Sequence, residues 1–214
     1  MVANFVKGRV CGVGVEEVQT IPPLRSGGIM LSYRCTNTCR HCLYRCSPKR
    51  SDDWMDLPTL DRVLDALLRE PVLSGIHLAG GEATIRFEGL LDAIAFVRSK
   101  GVPIDYLETN AAWCADREET RRKLGLLKDA GLPAILISCS MFHNEFTPFS
   151  HTRNCVEMAE KVFGHHNVIV WTPNFYQALM NMPDHERSHT IGAFCEQAGI
   201  PQWSASIPSL YHLT

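Results

Sequence analysis

The stretch Ile29-Met30-Leu31-Ser32-Tyr33-Arg34-Cys35-Thr36-Asn37-Thr38-Cys39-Arg40-His41-Cys42 runs from a short apolar segment directly into three cysteines. Residues 29–33 have the profile of a buried strand, and five further runs share it: 75–79, 104–107, 134–138, 168–172 and 203–207. Each is short and apolar, and several are β-branched, which suits strands buried on both faces of a parallel sheet. Amphipathic stretches separate them. Leu60, Val63, Leu64, Leu67 and Leu68 form one helical stripe, and Leu90, Leu91, Ile94 and Val97 form another, with Gly101 placed to cap it. Asp116 with Glu119 makes an acidic capping box, and Gly131 with Pro133 ends that third helix. A fourth is expected from about Ser150 to Phe163, and a fifth from near Asp184 to Gly199. Six strands with five intervening helices predict an α/β fold: a parallel sheet, either open and doubly wound or curled as a partial (β/α)6 TIM-type barrel.

Composition narrows the class. Of 214 residues 45% are hydrophobic and 21% charged, and the net charge is -2, so neither a disordered chain nor a nucleic-acid or anionic-membrane binder is indicated. Lys7 and Arg9 interrupt any apolar leader, and no run approaches the roughly 18 apolar residues of a membrane span. The expectation is a cytoplasmic chain with reduced thiols, although it holds nine cysteines.

Cys35, Cys39 and Cys42 stand at i, i+4 and i+7 in a loop after a strand, where their side chains can turn toward one centre. In parallel βα folds sites gather at the C-terminal ends of strands, which is where this loop lies. Iron–sulfur cubanes normally take four cysteine thiolates. Three leave one iron open to a ligand from outside the protein. A zinc site completed by His41 or Cys46 is the competing reading.

The CxxxCxxC spacing after the first strand of a βα repeat resembles the radical S-adenosylmethionine (radical SAM) superfamily, over about residues 29–207. The resemblance implies a core domain over 29–214 preceded by an extension at 1–28. It implies a [4Fe-4S] cluster held by Cys35, Cys39 and Cys42, with S-adenosyl-L-methionine on the fourth iron through its amino and carboxylate groups. Gly80-Gly81-Glu82, after the second strand, matches the superfamily's GGE motif, whose backbone and acid contact the cofactor's amino group. Asn110 ends the third strand and would border the cofactor pocket, unless it serves only a turn. Ser138 and Ser140 fall where relatives often carry Ser-x-Asp near the ribose and carboxylate, and Ser140 replaces the acid. His143 could position substrate or move a proton, or merely bond to a neighbouring loop. Cys139 could donate a hydrogen atom, or be a small buried hydrophobe. His165, His166, His185 and His189 read as surface residues.

The implied activity is reductive cleavage of S-adenosylmethionine to a 5′-deoxyadenosyl radical that abstracts hydrogen from a peptide or small metabolite. The implied partners are that substrate and an external one-electron donor of ferredoxin or flavodoxin type. Six strands reach residue 207, so no cysteine-rich C-terminal domain is expected. A substrate, a partner subunit or a second copy could supply the wall of an open barrel. A non-catalytic iron–sulfur or zinc-binding scaffold is the alternative from a different class, favoured by Ser140.

Overall fold

The expected strands pair in chain order. In the structure, a computed structural model that describes residues 22–184 and 186–199, β1 (Ser26–Met30), β2 (Gly75–Ala79), β3 (Ile104–Thr109), β4 (Ile135–Ser138) and β5 (Val168–Trp171) form one sheet. Its order is β1-β2-β3-β4-β5, and every pairing is parallel. A doubly wound sheet reverses its order at a switch point. No reversal occurs here, so the chain winds one way as a partial TIM-type barrel, open between β1 and β5 among the described residues. The expected sixth strand at 203–207 lies outside the described residues, as do residues 1–21 of the expected extension. β1 begins at Ser26, three residues inside the span read as extension.

Local chemistry sets the helix ends. In α1 (Leu57–Leu67) the Asp56 carboxylate accepts from the Thr59 N–H at 2.8 Å, and Pro58 sits in the first turn. α2 (Phe87–Ser99) is followed by Gly101, whose φ of 74° reverses the chain. α3 (Arg117–Ala130) starts as its sequence indicates, with Asp116 Oδ1 accepting from Glu119 N at 2.8 Å, and ends at Gly131 with φ 107°. A short α4 (Met141–Asn144) precedes α5 (Phe149–Phe163). No helix starts at Asp184. Instead α6 (Pro173–Met180) and α7 (Ile191–Gln197) flank a turn there. Pro173 opens α6, where its missing N–H costs nothing. Among the described residues no helix is long and apolar enough to cross a membrane.

The strands are not buried on both faces. One face, carrying Ile29, Ile76, Leu78, Leu107, Ile135 and Ile137, packs on Leu60, Leu64, Leu90, Ile94, Leu124 and Leu127 of α1 to α3. Each such side chain contributes about 1.5–3 kcal/mol by leaving water, so this face dominates the stability of the sheet. The other face carries Gly28, Met30, His77, Ala79, Tyr106, Glu108, Leu136 and Ser138, and it lines a cavity. A second apolar cluster, formed by Met141, Phe149, Phe175, Leu179 and Phe194, anchors α4 to α7 beside the end of β4.

At the top of the sheet Glu82 is buried, yet its carboxylate accepts from Thr84 Oγ1 at 2.6 Å, Thr109 Oγ1 at 3.0 Å and Asn110 N at 2.7 Å. Burial raises its pKa and these donors oppose the rise. The carboxylate thereby clamps the end of β2 to the end of β3. Glu82→Ala strands the Asn110 N–H and the Thr109 hydroxyl in the interior and is expected to cost about 2–3 kcal/mol, read as a lowered urea midpoint with unchanged slope.

Candidate functional site

The loop after β1 is held at several points. Leu31 N donates to Ala79 O at 2.9 Å, Gly81 N to Ser32 O at 2.8 Å and Glu82 N to Arg34 O at 2.9 Å, so the loop runs against the end of β2. A Cβ on Gly81 would overlap the Arg34 carbonyl, which explains glycine at that position. Cys35 N donates to Ser47 O at 3.2 Å, closing the loop on itself. On the far side Asn37 Nδ2 donates to Thr147 Oγ1 at 3.1 Å, and Arg40 pairs with Glu145 at 3.1 Å, tying the loop to the segment after β4.

These ties bring Cys35, Cys39 and Cys42 to the rim of one cavity of about 850 Å³. The sulfurs have hydrogen-bond donors. Cys35 Sγ accepts from Asn37 N and from Asn110 Nδ2, both at 3.4 Å, and Cys42 Sγ accepts from Cys46 N at 3.4 Å. Such donors suit thiolates in a cluster, whose properties depend on hydrogen bonds to sulfur. Cys39 rests against the second apolar cluster. Burial pushes the Cys35 thiol up to about 11 and the Cys39 thiol to about 12, with negative charge on the neighbouring cysteines adding to both. Thiols so placed ionise readily only against positive charge at their centre. Among the described residues no three His, Cys, Asp or Glu side chains are grouped to hold a single metal ion.

The other expected residues divide. Gly80, Gly81, Asn110 and Ser138 line the cavity with the cysteines. Asn110 also donates to Thr36 Oγ1 at 2.9 Å, and its Oδ1 accepts from Ala112 N at 2.9 Å, so it serves the turn as well as the rim. Glu82 does not reach the cavity, because its carboxylate is committed to Thr84, Thr109 and Asn110. Ser140 caps α4 and lies 2.8 Å from His143 Nδ1, away from the cavity lining. His143 does line the cavity, in edge contact with His41, and burial with that neighbour's charge lowers it to about 3. Its imidazole is neutral over the ordinary pH range, able to orient a partner but poor at taking a proton. Cys139 packs inside the second apolar cluster, and burial pushes its thiol strongly up. It is not among the residues that line the cavity.

Cys46 is buried at the cavity wall, while Cys114 and Cys155 meet in the main core and Cys195 lies in the second cluster. His189 is not a surface residue: it is 6% exposed and set between Asn144 Oδ1 at 2.8 Å and Asp184 Oδ1 at 3.0 Å. His165 is exposed and pairs with Glu160 at 2.7 Å, and His185 is outside the described residues. Sequence reasoning missed Asn37, which is 2% exposed and bonded to Cys35 and Thr147. It also missed His77, Tyr106 and Glu108 on the cavity face. In β3 the signal was Tyr106 and Glu108 two positions apart, whereas β2 offered only the single histidine.

A family model described as the Radical SAM superfamily matches residues 29–166. No curated protein matches the chain. Among solved structures, one described as a polyhistidine-tagged anSMEcpe with bound AdoMet is similar at 21% identity and a TM-score of 0.46, over 70% of this chain and 43% of that one. The chain thus spans less than half of that protein's length. The family match takes in the end of β1, the cysteine loop, the glycine pair and β2 to β4, more than half of the chain, and this protein belongs to the radical SAM superfamily, enzymes that use a [4Fe-4S] cluster and S-adenosylmethionine.

Proposed function

We propose that the chain is a single-cluster radical SAM enzyme whose cluster is held by Cys35, Cys39 and Cys42. The observation that carries this is the convergence of those three thiols with the Gly80-Gly81 backbone on one cavity of about 850 Å³. That volume is in the range of small-molecule sites. Held by Cys35, Cys39 and Cys42, a bound cluster would supply one electron, received from an external donor, for reductive cleavage of S-adenosylmethionine and so for hydrogen abstraction from a substrate.

The chain's own residues orient and shield that chemistry. Asn37, Asn110 and Cys46 donate toward the cysteine sulfurs and fix their positions. Gly80 and Gly81 let a ligand approach the backbone at the end of β2, and Ser138 offers a hydroxyl from β4. Glu82 acts at one remove: it holds Asn110, which holds Cys35. Ser140, in place of the expected acid, keeps His143 oriented, so no carboxylate is assigned to the cofactor at that point.

The reaction also calls for a one-electron donor of ferredoxin or flavodoxin type and for a peptide or small-metabolite substrate. Ile169 and Trp171, on the cavity side of β5, are 39% and 48% exposed, which leaves room there for a substrate, a partner subunit or a second copy. The core domain is taken to begin with β1 at Ser26 rather than at residue 29, with the residues before it as an extension, and the chain is taken as cytoplasmic. The scaffold alternative draws only on Ser140, and zinc binding has no observation in its favour.

Anaerobic reconstitution with iron and sulfide, followed by dithionite and S-adenosylmethionine, is expected to yield 5′-deoxyadenosine, and Cys39→Ala is expected to abolish it. Uptake of zinc with no iron would defeat the proposal. Asn110→Ala removes a donor from Cys35 and is expected to lower iron retention or turnover by about 10- to 100-fold, measured as iron per chain after gel filtration and as 5′-deoxyadenosine formed. Unchanged values would show that Asn110 serves only its turn.

A further inference from the structure

Below the cysteine rim the cavity has a second, polar tier. Gly28, His77 and Tyr106 stand in register across β1, β2 and β3, and Glu108 follows two residues beyond Tyr106 on the same face. His77 and Tyr106 are stacked, with ring centroids 4.9 Å apart and planes 8° from parallel. His77 Nε2 lies 3.4 Å from Glu108 Oε1. Gly28 makes the room: a Cβ there would run into the His77 ring. Three strands therefore contribute to one arrangement, in a part of the sheet where a core residue would ordinarily be apolar.

The charge of the cavity is one-sided. Glu108 is its only carboxylate, and no lysine or arginine lines it among the described residues. The three cysteine thiols on the same wall add negative charge when ionised. Glu108 keeps 39% of its side chain exposed, toward the cavity it lines. Its pKa is raised by burial, opposed by the charge of His77, so the carboxylate gains from any further cation that reaches it. Burial, with Glu108 and Asp105 nearby, also raises the Tyr106 phenol, which stays protonated and can donate.

We propose that His77, Tyr106 and Glu108 form a substrate-anchoring subsite for a cationic nitrogen group, an ammonium or guanidinium, at the far end of the molecule from its reacting carbon. Glu108 supplies the charge, His77 orients the carboxylate, and Tyr106 offers its hydroxyl and one ring face to the cation. The anchor lies on the strands, behind the rim assigned to the cofactors, so it sets which molecule is presented rather than how it reacts. This rests on the proposed function only in taking the upper tier to be the reacting end.

The reconstituted enzyme is titrated anaerobically by calorimetry with N-acetyllysine amide and N-acetylarginine amide, against the neutral N-acetylnorleucine amide and N-acetylcitrulline amide. The cationic probes are expected to bind at least about tenfold more tightly than the neutral ones. In Glu108→Gln that preference is expected to fall to about twofold or less, and Glu108→Asp should restore part of it. Equal binding of charged and neutral probes by the unmodified enzyme overturns the subsite without any variant having to fold. A preference that survives in folded Glu108→Gln overturns it as well. Formation of 5′-deoxyadenosine is measured in parallel: charge preference without cleavage supports the subsite while the assigned reaction falls, and cleavage without charge preference overturns the subsite alone.

Discussion

One buried carboxylate holds the top of this sheet together. Glu82 follows the glycine pair after β2, and its oxygens receive the Thr109 hydroxyl and the Asn110 N–H from the end of β3. Asn110 then reaches across to Cys35 Sγ and Thr36 Oγ1 in the loop after β1. Three strand ends are linked through a single acid. A carboxylate this deep would be costly without its donors, and with them it is a rigid joint. The same joint fixes the backbone on which the cysteine rim and the Gly80-Gly81 edge are both built, so the geometry of the site follows from a stability feature of the fold.

The second constraint is the difference between the sheet's two faces. Aliphatic side chains on one face pack against the helices and supply most of the hydrophobic stabilisation. That leaves the other face free to carry histidine, tyrosine and glutamate, because the fold does not need apolar contacts there. A closed, side-chain-filled barrel would have had no such freedom. The open seam between β1 and β5 and the polar interior therefore belong together.

Five strands, four of the helices, the caps of two of them and the cysteine loop were legible in the sequence because each is a local signal. Residues Asp116 and Gly131 mark α3 at both ends, and Cys35, Cys39 and Cys42 lie within eight residues of one another. The inner face was not legible in the same way. Gly75-Ile76-His77-Leu78-Ala79 reads as a buried run with a stray histidine, and only alignment with Tyr106 and Gly28 shows that the histidine belongs to a row. Glu82 was read as a cofactor contact from the GGE motif it completes, yet its side chain turns toward partners 27 and 28 residues away. His189 looked exposed because Asn144, which buries it, is 45 residues distant.

The two tiers of the cavity divide the demands on the protein. The rim is made of loop and turn residues, whose positions depend on many backbone hydrogen bonds, so a change there would disturb the proposed cluster and cofactor positions together. The lower tier is made of strand residues whose backbones are fixed by the ladder whatever side chain they carry. His77, Tyr106 and Glu108 could be exchanged for other side chains of similar volume with little change to the strands beneath them, because the core that stabilises those strands is on the opposite face. Gly28 is the exception, since any side chain there displaces His77. An arrangement with a fixed rim and an exchangeable floor lets one radical chemistry be directed at different molecules, and in this chain the floor carries a negative charge.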